Sequence, residues 1–393
     1  MSTGLSERAR ESLPETVAKA AAEQPRAAAA LGAALSSGPS HAYLFRGPHG
    51  SGKRAVARAF SAELLAAGAD DPEGARRRAL MNPSPHPDLV WLRPAGAQHM
   101  IDDVREQVIR ASVYRPFEGR RRVFVIEAAE AMRDESQNSL LKTLEEPPAF
   151  AHLILLSSEP EALLETIASR CQSVEFQPLT AAAIESRLMG SSNTDAGCAI
   201  EPGGVAAAAR LAAGDLERGT FLISERGRQM REQVRACMAA AVDGDLSRSP
   251  WKAILSGAEA VGEDAEAEAR EVLQADADAA GRRSAKEVTD GARRAGRRRR
   301  TDVLDLGLAL CAAWLRDVAS VCAGAEEVVF NSDSLDELRR QAGEVRLSRV
   351  ADAVALVAET RRGLDLNVSE ELALETLFFR LEALLAAPMS CES

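Results

Sequence analysis

The sequence predicts an α/β fold: a P-loop domain built on a parallel sheet, then a small helical unit, then a longer all-helical domain. Three observations predict it. Strand and helix patterns alternate from residue 41 to residue 178, a G-x-x-x-x-G-K run stands at the first strand-to-helix junction, and strand signals fade after Pro178. Alternation of this kind gives a parallel sheet covered by helices.

The elements follow in order. Residues 1–40 are Ala-rich and helical in pattern, interrupted by Pro14 and Pro25, and the run Ser36-Ser37-Gly38-Pro39-Ser40 reads as a loop. His41–Arg46 is a short strand, a Gly-rich turn follows, and Lys53–Ala67, free of Gly and Pro, is a helix that ends at Asp70-Asp71-Pro72-Glu73-Gly74. Leu89–Leu92 is a second strand. Ile101, Val104, Val108 and Ala111 share helical spacing over Ile101–Ser112. Arg122–Ile126 is an apolar run suited to a buried parallel strand. Gln137–Leu144 is amphipathic and stops at Pro147-Pro148, Leu153–Leu156 is another buried strand, and Val174–Phe176 is the last. Residues 180–230 read as a small helical unit with Gly203-Gly204 in a loop, and 231–393 as helix throughout. Within the latter, Glu263–Asp290 is acidic and weakly apolar, either a solvated helix or partly disordered. The predicted domains are 1–178, 179–230 and 231–393.

Bulk composition narrows the function. At 393 residues, two or three domains are expected. The net charge of −11 argues against a broad basic nucleic-acid face, so any such contact is local or shared with partner chains. The six cysteines, Cys171, Cys198, Cys237, Cys311, Cys322 and Cys391, fit neither a disulfide framework nor a zinc site, which points to reduced thiols and a cytoplasmic location. No signal-peptide pattern and no run of about 18 apolar residues is seen, so no membrane span is expected.

Gly47-Pro48-His49-Gly50-Ser51-Gly52-Lys53 is a phosphate loop in the strand-to-helix context the motif requires. Glycines let backbone N–H groups turn around phosphates, the helix N-terminus adds positive potential, and Lys53 reaches the outer phosphates. The eighth position should carry a hydroxyl for Mg²⁺. It is Arg54, and a guanidinium cannot ligate a cation. The acidic motif after Val123-Phe124-Val125-Ile126 is also altered. An active enzyme places Asp there for Mg²⁺, whereas this chain has Glu127-Ala128-Ala129-Glu130, and Ala128 has no general-base chemistry. The loop is therefore either an inherited shape without turnover or a site that still binds ATP or ADP weakly. No cofactor is required on either reading.

Several strings resemble the AAA+ subunits of bacterial sliding-clamp loaders. They are His41-Ala42-Tyr43-Leu44-Phe45, His86-Pro87-Asp88-Leu89, the run Asn138-Ser139-Leu140-Leu141-Lys142-Thr143-Leu144-Glu145-Glu146-Pro147-Pro148, and Thr166-Ile167-Ala168-Ser169-Arg170-Cys171. Looser likeness extends to Gly214–Gly219, to Trp314-Leu315-Arg316-Asp317-Val318 and to Leu366-Asn367-Val368-Ser369. The resemblance implies an AAA+, Rossmann-like P-loop domain, a helical lid and a helical collar used for oligomerisation. It implies a hetero-pentamer with gamma or tau and delta subunits that opens a sliding clamp and loads it on primed DNA, as part of a DNA-directed DNA polymerase holoenzyme (a nucleotidyltransferase). Degenerate nucleotide motifs beside an intact Ser-Arg-Cys are similar to the delta-prime branch, whose members do not hydrolyse ATP. The main rival is a working gamma/tau-like ATPase subunit that tolerates Arg54 and Ala128, and a second is an AAA+-like DNA-binding adaptor outside replication. Many relatives carry a four-cysteine zinc module, but residues 61–86 contain no Cys, and Ala69–Met81 stands in its place, so no metal is expected.

Arg170 then becomes the central residue. On the family's pattern it is an arginine finger acting in trans on a neighbour's γ-phosphate, an effect of roughly 10³–10⁵ in rate; the plain alternative is a salt-bridged surface Arg. Cys171 reads as a packing residue. Lys142 with Glu145-Glu146 reads either as a contact surface or as helix pairing at i, i+4. Ser157-Ser158 lies where the family places its first sensor, Arg218 matches the second weakly, and His49 and His86 read as polar loop residues. The run Arg293-Arg294 and Arg297–Arg300 reads as a solvated helix start or a phosphate contact.

Overall fold

The computed structural model describes residues 13–94, 98–192, 202–280, 285–364 and 368–386. Two compact units make up the chain, Met1–Leu179 and Thr180–Ser393.

The first unit holds five strands: β1 Ala42–Arg46, β2 Leu89–Leu92, β3 Arg122–Ile126, β4 Ala151–Ser157 and β5 Gln172–Glu175. All neighbours are parallel, in the order β2-β3-β4-β1-β5. Side chains alternate between the two faces, as the twofold strand period requires. Tyr43, Phe45, Val123, Val125, Ile154 and Leu156 enter one buried cluster with the helix Lys53–Ala66, whereas Leu44, Phe124, Ile126, Leu153 and Leu155 enter another with Leu140 and Leu144. Both faces are covered, which is why β3 and β4 read as continuous apolar runs. Tyr43 and Phe60 meet edge to face at 5.0 Å between ring centroids.

The predicted elements recur with small shifts of boundary. The first helices are Glu15–Ala20 and Pro25–Ser37, with Pro25 in the first turn, where its missing N–H costs no bond. The helix expected over Ile101–Ser112 runs as Ile101–Asp103 and then widens to π-helical turns over Val104–Arg110. A helix not foreseen, Pro72–Leu80, occupies the stretch predicted only as replacing the cysteine module. Asp71 caps it by accepting from the N–H of Gly74 at 2.9 Å. Asp88, fully buried, accepts the backbone N–H groups of Phe117 and Glu118, each at 2.8 Å, and so anchors the loop before β3.

The second unit is helical throughout its described residues. Its helices are Ala181–Ser192, Pro202–Leu211, Leu216–Ile223, Glu225–Asp243, Trp251–Ala280, Ala285–Cys322, Leu335–Glu344, Leu347–Leu364 and Glu370–Leu385. One apolar core runs through it from Ala208 to Leu385, with Trp251 stacked on Phe378 at 6.1 Å. Gly203 and Gly204, expected in a loop, lie in the first turn of the helix Pro202–Leu211. Pro202 opens that helix, and the buried Val205, Ala207 and Ala208 supply the packing that offsets the glycine cost. The acidic stretch 263–280 is helix, and among the described residues no helix is long and apolar enough to cross a membrane. Cys198, Cys391 and the pair Leu366-Asn367 lie outside the described residues.

His41 and His152 stack at 5.6 Å between ring centroids at the start of β1 and β4, and each Nδ1 meets a backbone carbonyl, of Ala151 at 3.2 Å and Ser40 at 2.8 Å. Burial, reinforced by the charges of Arg121 and His41, pushes the His152 pKa from 6.5 down to about 4. The unfolded chain therefore takes up a proton that the fold refuses. Stability is full above about pH 6.5 and falls as pH drops toward about 4, by roughly 3 kcal/mol at most. Urea unfolding across that window should show this slope in the natural chain and a flatter one in His152→Gln. Equal slopes would remove His152 from the account.

Candidate functional site

The phosphate loop leaves β1 at Arg46, and Glu127 and Ser158 follow the ends of β3 and β4 directly. Because β3, β4 and β1 are adjacent, these residues gather at the carboxyl edge of the sheet, where open α/β folds place their ligands. The loop has the backbone its glycines permit. Gly47, Gly50 and Gly52 have φ of 150°, 62° and 89°. Gly47 also passes so close to β5 that a Cβ there would lie 2.3 Å from the carbonyl oxygen of Phe176. Buried Gln24 ties the loop down: its amide donates to the carbonyls of Ser51 (3.0 Å) and Gln177 (2.7 Å) and accepts from the N–H of Gln177 at 2.9 Å.

Lys53 opens the helix Lys53–Ala66 behind Gly52, and its side chain turns back on the loop. Nζ donates to the carbonyls of Gly47 at 2.5 Å and Pro48 at 2.7 Å, and to Ser158 Oγ at 3.2 Å. The ammonium thus engages oxygens of its own loop. Ser158, at the expected first-sensor position, is held from below as well, since its N–H donates to Glu130 Oε1 at 3.1 Å.

Arg54 and Glu127, the two altered positions, meet each other. Arg54 Nε lies 2.9 Å from Glu127 Oε1, and Arg93 Nε lies 3.5 Å from Glu127 Oε2. The Glu127 carboxylate, only 4% exposed, also accepts from the indole N–H of Trp91 at 2.9 Å. A carboxylate placed to bind a divalent cation is thereby compensated by guanidinium charge. With no hydroxyl at position 54 and both Glu127 oxygens engaged, these residues do not fit a nucleotide-bound magnesium ion. Ala128 follows in a left-handed conformation, φ 47°, with no side chain beyond Cβ to activate water.

Sequence reasoning missed Trp91, Arg93 and Gln24. The β2–β3 register pairs Leu92 with Ile126, which brings the next residues, Arg93 and Glu127, side by side. No sequence signal gives that register. Arg58 completes the cluster, its guanidinium 4.3 Å from the Trp91 ring centre.

Arg170 lies just past the short helix Glu165–Ala168. Its NH1 donates to the carbonyl of Thr166 at 2.9 Å, and its NH2 lies 2.7 Å from Glu145 Oε1. The side chain is 36% exposed and that of Glu145 is 49% exposed. The Ser-Arg-Cys string is therefore tied to the Glu145-Glu146-Pro147-Pro148 string by a surface ion pair. The alternative Lys142–Glu146 pairing is not formed among the described residues, and Glu145 turns to Arg170 instead. Cys171 packs against the lower face of the sheet, and burial pushes its thiol up to about 12, which suits a packing residue. His49 is exposed, while His86 is buried, accepts the N–H of Asp88 on Nδ1 at 3.2 Å, and is held below its usual pKa chiefly by burial. In the second unit, Asp215 caps the helix Leu216–Ile223 by accepting the N–H of Arg218, and burial lowers the pKa of that arginine.

Residues 23–180 match the family described as DNA polymerase III, delta subunit. The chain is 37% identical over 155 residues to the Bacillus subtilis DNA polymerase III subunit delta-prime, covering 38% of this chain and 46% of that protein. It is 42% identical over 139 residues to the Pseudomonas aeruginosa subunit delta-prime, covering 34% and 42%. The Bacillus subtilis subunit tau is 36% identical over 154 residues, covering 38% and 27%. The matched stretch spans under half the length of these curated relatives. Among solved structures, a Thermotoga maritima DNA polymerase III gamma subunit-related protein aligns over 89% of this chain and 96% of its own, at 15% identity and a TM-score of 0.39. The fold assignment rests on the sheet order and loop geometry of the chain itself. Over residues 23–180, this chain is similar to the delta-prime subunits of DNA polymerase III.

Proposed function

We propose that this chain is the non-hydrolysing delta-prime subunit of a sliding-clamp loader, working in the cytoplasm in a hetero-pentamer with gamma or tau and delta subunits. There it presents Arg170 to the ATP site of a neighbouring motor subunit. Residues 179–230 serve as lid and 231–393 as the collar through which the subunits associate, and the assembly engages the sliding clamp and primed DNA.

One observation carries the reading: the Arg54–Glu127 ion pair. Nucleotide cleavage by P-loop ATPases needs Mg²⁺ held by a hydroxyl and a carboxylate, and a positioned group to orient water. Here the hydroxyl is absent, the carboxylate is neutralised by a guanidinium, and the position after it is Ala128. Arg170, by contrast, is half-exposed, and its only carboxylate partner among the described residues is a surface one. Such pairs are worth about 0–1 kcal/mol, so exchange of Glu145 for a phosphate costs little.

A second reading, a gamma/tau-like ATPase, draws on the intact glycine loop and Lys53, and on the 36% identity to a tau subunit. Turnover by the purified chain separates the two. The delta-prime reading expects ATP hydrolysis at background with Mg²⁺ present, unchanged by Lys53→Ala. Cleavage that Lys53→Ala abolishes would establish the ATPase instead.

A further inference from the structure

The second unit carries a feature the clamp-loader reading does not use. The helices Trp251–Ala280 and Ala285–Cys322 pack antiparallel along their lengths, and small residues set how closely. A Cβ on Gly296 would lie 2.8 Å from the carbonyl oxygen of Gly262 and 2.9 Å from Cβ of Glu266, and one on Gly291 would lie 2.8 Å from Leu273. Val288, Gly291, Ala292 and Gly296 form the buried stripe of the second helix. That stripe fixes which side faces out, and the outward side is arginine.

Between Lys286 and Thr301 there are seven basic residues against two acidic ones, in a chain whose net charge is −11. The arginines divide into two groups. Arg300 pairs with Glu370 at 2.6 Å, Arg299 lies 5.3 Å from the Phe221 ring centre, and Arg298 is likewise engaged. Arg293, Arg294 and Arg297 form no ion pair among the described residues, and Arg293 and Arg297 are exposed. On the facing helix, Glu266 pairs with Arg270 at 2.7 Å and Asp264 with Arg226 at 3.1 Å.

We propose that this face of the helix Ala285–Cys322 binds the phosphate backbone of a nucleic-acid duplex without reading its sequence, through Arg293, Arg294 and Arg297. The chemistry fits a polyanion of regular spacing. At about 1.5 Å of rise per residue, Arg293–Arg297 spans roughly 6 Å, the length over which one DNA strand presents about two phosphates. The face lacks what a protein partner would use. No large apolar side chain is exposed between Lys286 and Asp302, so there is no anchor around which a desolvated protein interface could form. Arginine forks on phosphates give position and affinity, not base recognition. The inference stands apart from the role of Arg170, because it concerns the isolated chain and no ATP.

The test is fluorescence anisotropy of a labelled DNA duplex with the full chain, from about 0.05 to 0.2 M salt. The natural chain should bind duplexes of unrelated sequence alike. The triple variant Arg293→Ala, Arg294→Ala, Arg297→Ala should bind more weakly and lose roughly 2 to 3 from the slope of log K against log salt. The matching triple Lys variant should keep most of that slope, which a merely structural role of these side chains would not predict. Far-ultraviolet circular dichroism checks that the helix survives in each. An unchanged slope in the Ala variant overturns the proposal, as does failure of the natural chain to bind duplex. Preference for a polyglutamate peptide over duplex overturns it too, in favour of an acidic protein partner.

Discussion

On the proposed role, Arg170→Ala is expected to cut turnover at the neighbouring ATP site it faces in the assembled complex by roughly 10³-fold or more, the scale of a lost arginine finger. The chain's own fold should be untouched. The residue is at the surface, and its removal loses one ion pair with Glu145 and one bond to the carbonyl of Thr166, together worth at most about 2 kcal/mol. Glu145→Ala is the informative control. It frees the guanidinium without removing it, so ATPase should hold or rise. If Arg170 only stabilised its own subunit, Glu145→Ala and Arg170→Ala would look alike in the assembled complex and both would shift the melting temperature of the free chain. Arg170→Lys should recover little, because an ammonium cannot reproduce the planar two-pronged contact with phosphate oxygens.

Asp317→Ala is expected to destabilise the second unit by roughly 3–5 kcal/mol. Asp317 is fully buried and accepts the backbone N–H groups of Phe330 at 3.0 Å and Asn331 at 2.8 Å, and the side-chain amide of Asn331 at 2.8 Å. Arg316 lies 3.2 Å from it and 3.8 Å from the Phe330 ring centre. Removing the carboxylate strands three donors, each costing about 1–3 kcal/mol when buried and unpaired. Against a total stability of about 5–15 kcal/mol the loss should be plain in urea unfolding followed by Trp314, whose indole donates to Gln341 nearby at 2.9 Å. Asp317→Asn keeps one good acceptor and should lie between. A loss under about 1 kcal/mol for the Ala variant would mean that the segment after Cys322 is held by other contacts.

The strands were legible because their burial writes itself into the residues. A strand covered on both faces is apolar along its buried length, and Val123–Ile126 and Leu153–Leu156 are. The phosphate loop was legible because glycine adopts the positive φ values found at Gly47, Gly50 and Gly52 far more readily than other residues. The short helix Pro72–Leu80 escaped because its weak apolar pattern gives little helical signal beyond the Asp71 cap. The glycines at 203 and 204 misled because local propensity is outweighed there by the packing of Val205, Ala207 and Ala208.

The two altered nucleotide motifs follow from sequence alone, since what a guanidinium or a methyl group cannot do is a property of the residue. That Arg54 and Glu127 answer each other was decided only in three dimensions. They are 73 positions apart in a chain whose sheet order, β2-β3-β4-β1-β5, is not its sequence order. The same holds for Arg170 and Glu145, joined by the return of the chain through β4. Residue chemistry is local and can be read along a chain. Which charge neutralises which depends on strand register and close packing, and those are set by the whole core at once.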